Sequence, residues 1–340
     1  MERTRKHPVR ATILILIGLV VVAGVAAGAY VFSLANNFDS QSEKIAEAFP
    51  AESERPEVKE SATDAVNILL LGSDSRGGSG ETENLEGVPN AGRADTMMLV
   101  HVPGDREGVY ITSVMRDTWV DIPGRGQHKL NAAYSFGGVP LTVQTIETML
   151  DTRIDHVASV DMEGFKGLTD TLGGVDVEVP IAFQSSHMKG HTFPQGVQHM
   201  DGETALAFVR ERYAFEDGDY QRVKNQQLFL DAVMGKLLAR DTLTNPGRVA
   251  SVVDELSPYV GVDDSLNAVT LGRLGVGMSS LRQDDVHFFA LPTEGVGRSA
   301  DGQSIVLPDI AAINDLGEAL SNDDVAAYVE SNGSRPSAGG

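Results

Sequence analysis

The chain contains no cysteine. Disulfide staples, thiolate metal sites and thiol nucleophiles are therefore excluded, and the core must hold without cross-links. Positive charge is also scarce. Lys and Arg number 27 against 48 Asp and Glu, a net charge of −21, which argues against nucleic acid as a partner because nonspecific binding there needs phosphate neutralisation. Aromatic residues make up 6% of the chain, with one tryptophan, Trp119, which reads as a core residue rather than a sugar platform. Hydrophobic residues nonetheless reach 41% of 340 positions, enough for a sizeable core, and no solenoid-like repeat recurs.

One long uncharged run is present. Residues 11–35, ATILILIGLVVVAGVAAGAYVFSLA, follow Arg3, Arg5, Lys6 and Arg10. About 20 apolar residues cross a bilayer as a helix, and a basic flank marks the cytoplasmic side. The pattern predicts a basic cytoplasmic tail over 1–10 and a single-pass anchor in the cell membrane over 11–35, with the rest of the chain extracytoplasmic. A cleaved signal peptide competes, because Ala27-Gly28-Ala29 offers a small-residue cleavage site, but its apolar stretch is normally only about 7 to 15 residues. The acidic, proline-containing segment 36–64 reads as a stalk.

From 65 to 327 the pattern is globular, and 328–340 reads as a flexible tail. Apolar runs predict strands over 66–71, 96–102, 109–114, 156–160, 175–179 and 286–291. Helical periodicity predicts helices over 141–150, 162–172, 203–210, 220–238 and 310–320. Interleaved in this way, they predict an α/β fold of three layers, α/β/α, with a mixed central sheet preceded by the transmembrane helix.

Ligands in such folds gather where loops leave the strand ends. Asp74 and Arg76 follow the first strand, Arg93 and Asp95 precede the second, and Arg116 and Asp117 follow the third. A fourth group, Arg210 and Arg212, precedes Asp219, Arg222 and Gln226; Asp219 suits a helix N-cap, and Arg222 and Gln226, four apart, share a helix face. Two readings are open. One is surface ion pairing, worth ~0–1 kcal/mol per pair. The other is a phosphate site in which guanidinium forks grip phosphate oxygens, two carboxylates hold Mg²⁺ and a further carboxylate takes a proton from an attacking hydroxyl. Other motifs carry less: His187 and His191 lack the glutamate of a zincin and read as a loop pair, no GxSxG elbow occurs, and the glycines near Gly77 and Gly272 match no phosphate-binding fingerprint.

Seven segments in order, LGSDSR, RADTMMLVHV, SVMRDTWVDIPG, KLNAAYSFGG, LGGVDVEVP, MDGETALAFVRER and GDYQRVKNQQLFL, resemble the successive motifs of the LytR-CpsA-Psr family. They span about 66–238, and HFFALPTEG and SIVLPD resemble the close of the same domain. The resemblance implies a membrane-anchored extracytoplasmic phosphotransferase that takes a glycopolymer from a polyprenyl-pyrophosphate carrier and joins it to peptidoglycan through a phosphodiester. It implies that Asp74 and Asp95 hold Mg²⁺, with Mn²⁺ the alternative ion. Arg93, Arg116, Arg210, Arg212, Arg222 and Gln226 would hold the pyrophosphate, with Arg76 and Lys129 in support. Catalysis would fall to Arg116, Arg210, Arg212, Asp219 and Arg222, with Asp219 an acid/base or an arginine-positioning group. Three positions depart from the pattern: Met115 stands for a proline, Gln221 for a glycine and Asn225 for an arginine, the last removing one charge from the expected clamp. Two alternatives stand beside this reading: a pyrophosphatase that gives the phosphate to water, and a noncatalytic protein that binds or regulates wall glycan.

Overall fold

The computed structural model describes residues 28–73, 94–216, 218–243 and 245–332. Helix α1 (28–41) and strand β1 (Glu43–Lys44) lead to β2 (Val66–Ser73), β3 (Ala94–Val102) and β4 (Val109–Val114). A hairpin of β5 (Trp119–Ile122) and β6 (Gly126–Lys129) precedes α2 (Asn131–Leu150), and β7 (His156–Asp161) precedes α3 (Met162–Thr171). Strand β8 (Val175–Val179) pairs with β11 (Gly196–Met200) around the shorter pair β9 (Phe183–Gln184) and β10 (Thr192–Phe193). Helices α4 (Gly202–Arg210), α5 (Asp219–Leu237), α6 (Arg240–Leu243) and α7 (Pro246–Leu256) follow. The chain closes through β12 (Val260–Val262), α8 (Ala268–Gly277), β13 (Val286–Ala290), the hairpin β14 (Thr293–Arg298) and β15 (Ser304–Pro308), α9 (Ile310–Ser321) and α10 (Val325–Asn332).

The main sheet runs β1-β12-β7-β2-β3-β4-β13. It is mixed: β2 lies parallel to β7 and antiparallel to β3, and β4 lies parallel to β13. Both faces are covered, which is why VNILLL reads as one continuous apolar run. Side chains alternate across a strand. Leu69, Leu71, Met97 and Leu99 therefore meet Val143 and Ile146 of α2 and Ile313 and Leu316 of α9, whereas Leu70, Met98 and Val102 meet Leu230 and Met234 of α5 on the other side. The three layers and mixed sheet expected from the sequence are both present.

Helix α2 begins ten residues before the predicted start at 141. Gly137 and Gly138 break it into two pieces, Gly138 at φ 66°, and Pro140 opens the second. Glycine accepts that left-handed backbone at no steric cost, and proline suits a first helical turn, so only the second piece carries a legible helical period.

The expected stalk is a correction. Residues 36–64 are part of the folded body. Phe38 packs beside Val262 and Leu266, β1 adds a parallel edge strand to β12, and Arg55, with its side chain 6% exposed, pairs at 2.7 Å with Glu147 of α2, which is 1% exposed. Arg55 also donates to the Ile154 carbonyl and lies over the Phe49 ring at 4.5 Å. Acidic composition alone reads as solvated chain, but one cation delivered to a buried carboxylate reverses that reading. The tail boundary also moves, since α10 runs to Asn332 and buries Val325. Most of the apolar run 11–35 lies outside the described residues, and among these no helix is long and apolar enough to cross a membrane.

Candidate active site

Three backbone features bring the site together. After β4 the chain turns through Met115, Arg116 and Asp117, and the buried Thr118 closes the turn by donating from its backbone N and Oγ1 to the Met115 carbonyl at 3.1 and 2.7 Å. Neighbouring segments pin the same turn: Asn131 N donates to Arg116 O and Val306 N to Asp117 O. Next, α4 ends at Arg210. Last, α5 starts at Asp219 and presents Arg222, 7% exposed, and Gln226 one turn later toward β3, where Gln226 Nε2 donates to Thr96 Oγ1 at 3.1 Å.

Two of these groups are joined by carboxylates. Lys129 of β6 reaches Asp117 at 3.1 Å and Arg116 lies 3.9 Å from it, while Arg222 and Arg212 lie 3.2 and 3.8 Å from Asp219. Asp117 and Asp219 are close enough for each to shift the ionisation of the other. Burial disfavours the charge of Asp117, but its interactions with Asp219 and Lys129 outweigh it and hold its pKa below the usual carboxylate range. Burial and the adjoining Asp117 push Asp219 the other way. Of the two neighbouring carboxyls, Asp117 therefore ionises more readily and Asp219 holds a proton more readily. Asp219 is the first residue of α5 rather than its N-cap, a place taken by Gly218; its carboxyl serves the arginines instead of the helix end.

Beneath the arginines lies a cavity of about 370 Å³. Its wall is apolar, with Leu70, Met98, Phe165, Leu206, Phe229 and Val233 among the lining residues. Arg116, Arg210, Arg212, Arg222 and Gln226 also line it, so a greasy shaft and a cationic, hydrogen-bonding group of side chains belong to one space.

The structure thus gathers Arg116, Arg210, Arg212, Asp219, Arg222, Gln226 and Lys129, from segments far apart in sequence, into one place. Asp74, Arg76 and Arg93 lie outside the described residues. Asp95 is placed by its backbone on β3 beside Thr96, next to the register pair Ser73–Ala94 that ends β2. Among the described residues no three metal-binding side chains cluster. His191 stands edge-on to Phe193 at 4.6 Å, and His187 Nε2 lies 3.1 Å from the Arg210 carbonyl. Asn225, fully buried, donates to the Phe208 carbonyl at 3.2 Å and accepts from Gln221 at 2.8 Å. Two of the three departures from the family pattern are therefore partners, and the polar pair ties α5 to α4 rather than facing the arginines with one charge missing.

The sequence reading passed over Glu211. Its carboxylate is completely buried between the two arginines that flank it in sequence, and it accepts from Ser186 N and Oγ at 2.6 and 2.8 Å and from Arg212 N and Tyr213 N at 3.0 Å each. It fixes the backbone from which Arg210 and Arg212 project. Burial opposes its charge, yet these donors prevail and lower its pKa. Such a group stabilises the fold fully above its unfolded pKa of about 4.3 and loses that contribution as pH falls through the lowered folded value. Glu211→Gln is expected to cost about 1–3 kcal/mol at neutral pH and to flatten the loss of stability on acidification. Urea denaturation at a series of pH values measures both, and identical acid slopes would show that the carboxylate is not the anchor.

The fold and site define a layered α/β body in which four arginines and a glutamine share one cavity with an apolar wall. Comparison with known proteins gives the particular family. The model of the LytR_cpsA_psr family matches residues 30–322, and the chain belongs to that family. It is 30% identical to the polyisoprenyl-teichoic acid–peptidoglycan teichoic acid transferase TagU of Enterococcus faecalis, over 91% of this chain and 94% of that one. It is 32% identical to TagU of Bacillus cereus, over 72% and 76%. Among solved structures, TagT bound to LI-WTA superposes with a TM-score of 0.61 at 26% identity, covering 82% of this chain and 98% of that one.

Proposed function

We propose that this chain is a phosphotransferase that moves a glycopolymer from a polyprenyl-pyrophosphate carrier to peptidoglycan and leaves the two joined by a phosphodiester. One observation carries the reading: the apolar cavity is shared with Arg116, Arg210, Arg212, Arg222 and Gln226. A polyprenyl pyrophosphate has those two halves, a hydrocarbon chain and a dense anion. A protein that only bound wall glycan would need neither the shaft nor the convergence of charge.

The chemistry follows from the groups present. The guanidinium forks bind the pyrophosphate oxygens and offset the charge that builds on the leaving oxygen, which is most of what phosphoryl transfer requires. The acceptor hydroxyl oxygen bonds to the phosphorus on the polymer side. The bond from that phosphorus to the bridging oxygen breaks, and polyprenyl phosphate departs with its chain in the cavity. The acceptor proton passes to the ionised oxygen of the Asp117–Asp219 pair. Asp74 and Asp95 are proposed to hold Mg²⁺, with Mn²⁺ the alternative; two carboxylates completed by phosphate oxygens suit a hard octahedral cation, which would supply further neutralisation of the phosphates. Arg76 and Arg93 are proposed as additional phosphate contacts. The run 11–35 is proposed to anchor the chain in the cell membrane, its N-terminus cytoplasmic and the folded part outside, where the tether keeps the site near a lipid-borne donor.

The test is incubation of the purified chain with lipid-linked oligosaccharide and a muramyl glycan, with and without chelator, followed by mass spectrometry. Expected products are phosphodiester-linked glycan and free polyprenyl phosphate, both diminished by chelation. Release of polymer phosphate to water alone, with acceptor present, would assign the site to a pyrophosphatase. Narrowing the cavity with Val233→Phe is expected to raise KM for long-chain donors more than for short-chain ones, and an equal change for both would remove the lipid from the cavity.

A further inference from the structure

We infer that the outer face of the β5–β6 hairpin, centred on Trp119, is a carbohydrate platform for the peptidoglycan acceptor; this deepens the transferase reading and rests on it for the identity of the glycan. The sequence reading of Trp119 as a core residue is corrected by its placement. On β5, Val120 and Ile122 turn into the core, 7% and 0% exposed, so Trp119 and Asp121 occupy the opposite face. The register pairs Trp119 with Lys129 and Asp121 with Gln127, which puts all four on that outer face. Trp119 is partly exposed and belongs to none of the hydrophobic clusters formed by the described residues.

The ring is nevertheless held in place. Its indole N–H donates to Gln127 Oε1 at 3.1 Å. A fixed, partly exposed indole, with an amide and the exposed carboxylate of Asp121 beside it, suits a pyranose ring. Sugar C–H groups can cover the aromatic face while hydroxyls donate to the carboxylate and exchange hydrogen bonds with the amide.

Location selects the occupant. Trp119 faces Lys129 across the hairpin, and Lys129 pairs with Asp117, so the platform stands one cross-strand neighbour from the reacting groups. Neither Trp119 nor Lys129 lines the apolar cavity. In an in-line displacement the attacking oxygen enters opposite the leaving group. With polyprenyl phosphate leaving on the cavity side, an acceptor hydroxyl held outside the cavity, beside the Lys129–Asp117 pair, would meet that requirement.

Because Trp119 is the chain's one tryptophan, its emission reports this face alone. Titration of the full chain with soluble GlcNAc–MurNAc oligosaccharides is expected to give a saturable blue shift. Trp119→Ala is expected to raise KM for the acceptor about three- to tenfold, with Trp119→Phe recovering most of the loss. Should Trp119→Ala fail to fold, Asp121→Ala and Gln127→Ala in the transfer assay serve in its place. An emission spectrum unmoved by millimolar oligosaccharide overturns the proposal. A shift produced by the donor polymer but not by the GlcNAc–MurNAc oligosaccharides overturns the assignment to the acceptor. A saturable shift in a chain that transfers nothing would leave the platform standing and remove the transferase reading, so the two failures are distinct.

Discussion

Arg210→Ala is expected to lower kcat/KM for transfer about 10²–10³-fold, the loss typical when one donor to a developing charge is removed. The thermal midpoint should stay within a few degrees of the parent, because Arg210 is exposed at the end of α4 and lines the cavity rather than supporting the core. Arg116→Ala, at the same cavity, should produce a loss of similar size. Lysine at either position should restore little, since an ammonium cannot reproduce the bidentate fork that grips a phosphate. Donor turnover in the presence of acceptor measures the effect, and circular dichroism confirms that the variants are folded. If folded Arg210→Ala and Arg116→Ala both transfer polymer at the parental rate, these side chains are ordinary surface charges and the phosphate clamp lies elsewhere; if the parent chain itself transfers nothing, the protein is a noncatalytic glycan binder.

The second large effect concerns stability. Arg55→Ala leaves the Glu147 carboxylate buried at 1% exposure without its cation, although the Ile154 backbone N–H still donates to it at 2.9 Å. Breaking a buried pair from one side costs about 3–5 kcal/mol, most of it the penalty of the stranded charge. Replacing both partners, as Arg55→Met with Glu147→Leu, should recover most of that loss. The urea midpoints of the two single variants and the double variant form a cycle that isolates the coupling. Additive losses would show that residues 36–64 merely lie near the domain. A strong coupling would establish that the supposed stalk is part of its fold, and that deletions starting at residue 65 damage the body they were meant to isolate.

The pattern of apolar residues by itself determined the central sheet and the helices that cover it. Strands 109–114 and 175–179 were legible to the residue because each is bounded by turn residues and carries a period of two or a continuous apolar run. Short elements escaped. β12 has three residues, and β5 and β6 four each, too few for any period to show, and they exist because neighbouring strands or hairpin partners accept their hydrogen bonds. The glycine pair in α2 hid the first piece of that helix for the same reason, by breaking its period.

At the site, the arginines could be named from the sequence because they sit at the ends of legible elements and their chemistry is independent of environment. Glu211 could not, and Asp117, though named beside Arg116, could be given no role. A carboxylate's role depends on what surrounds it, and 48 acidic residues look alike until burial and donors separate them. The apolar cavity was equally hidden, since Leu70, Met98, Phe165 and Phe229 belong to four different elements and read singly as core. Composition and spacing determined which chemical groups this protein owns. Only the tertiary structure decided which of them meet, because convergence is a property of distances between segments that the chain order does not contain.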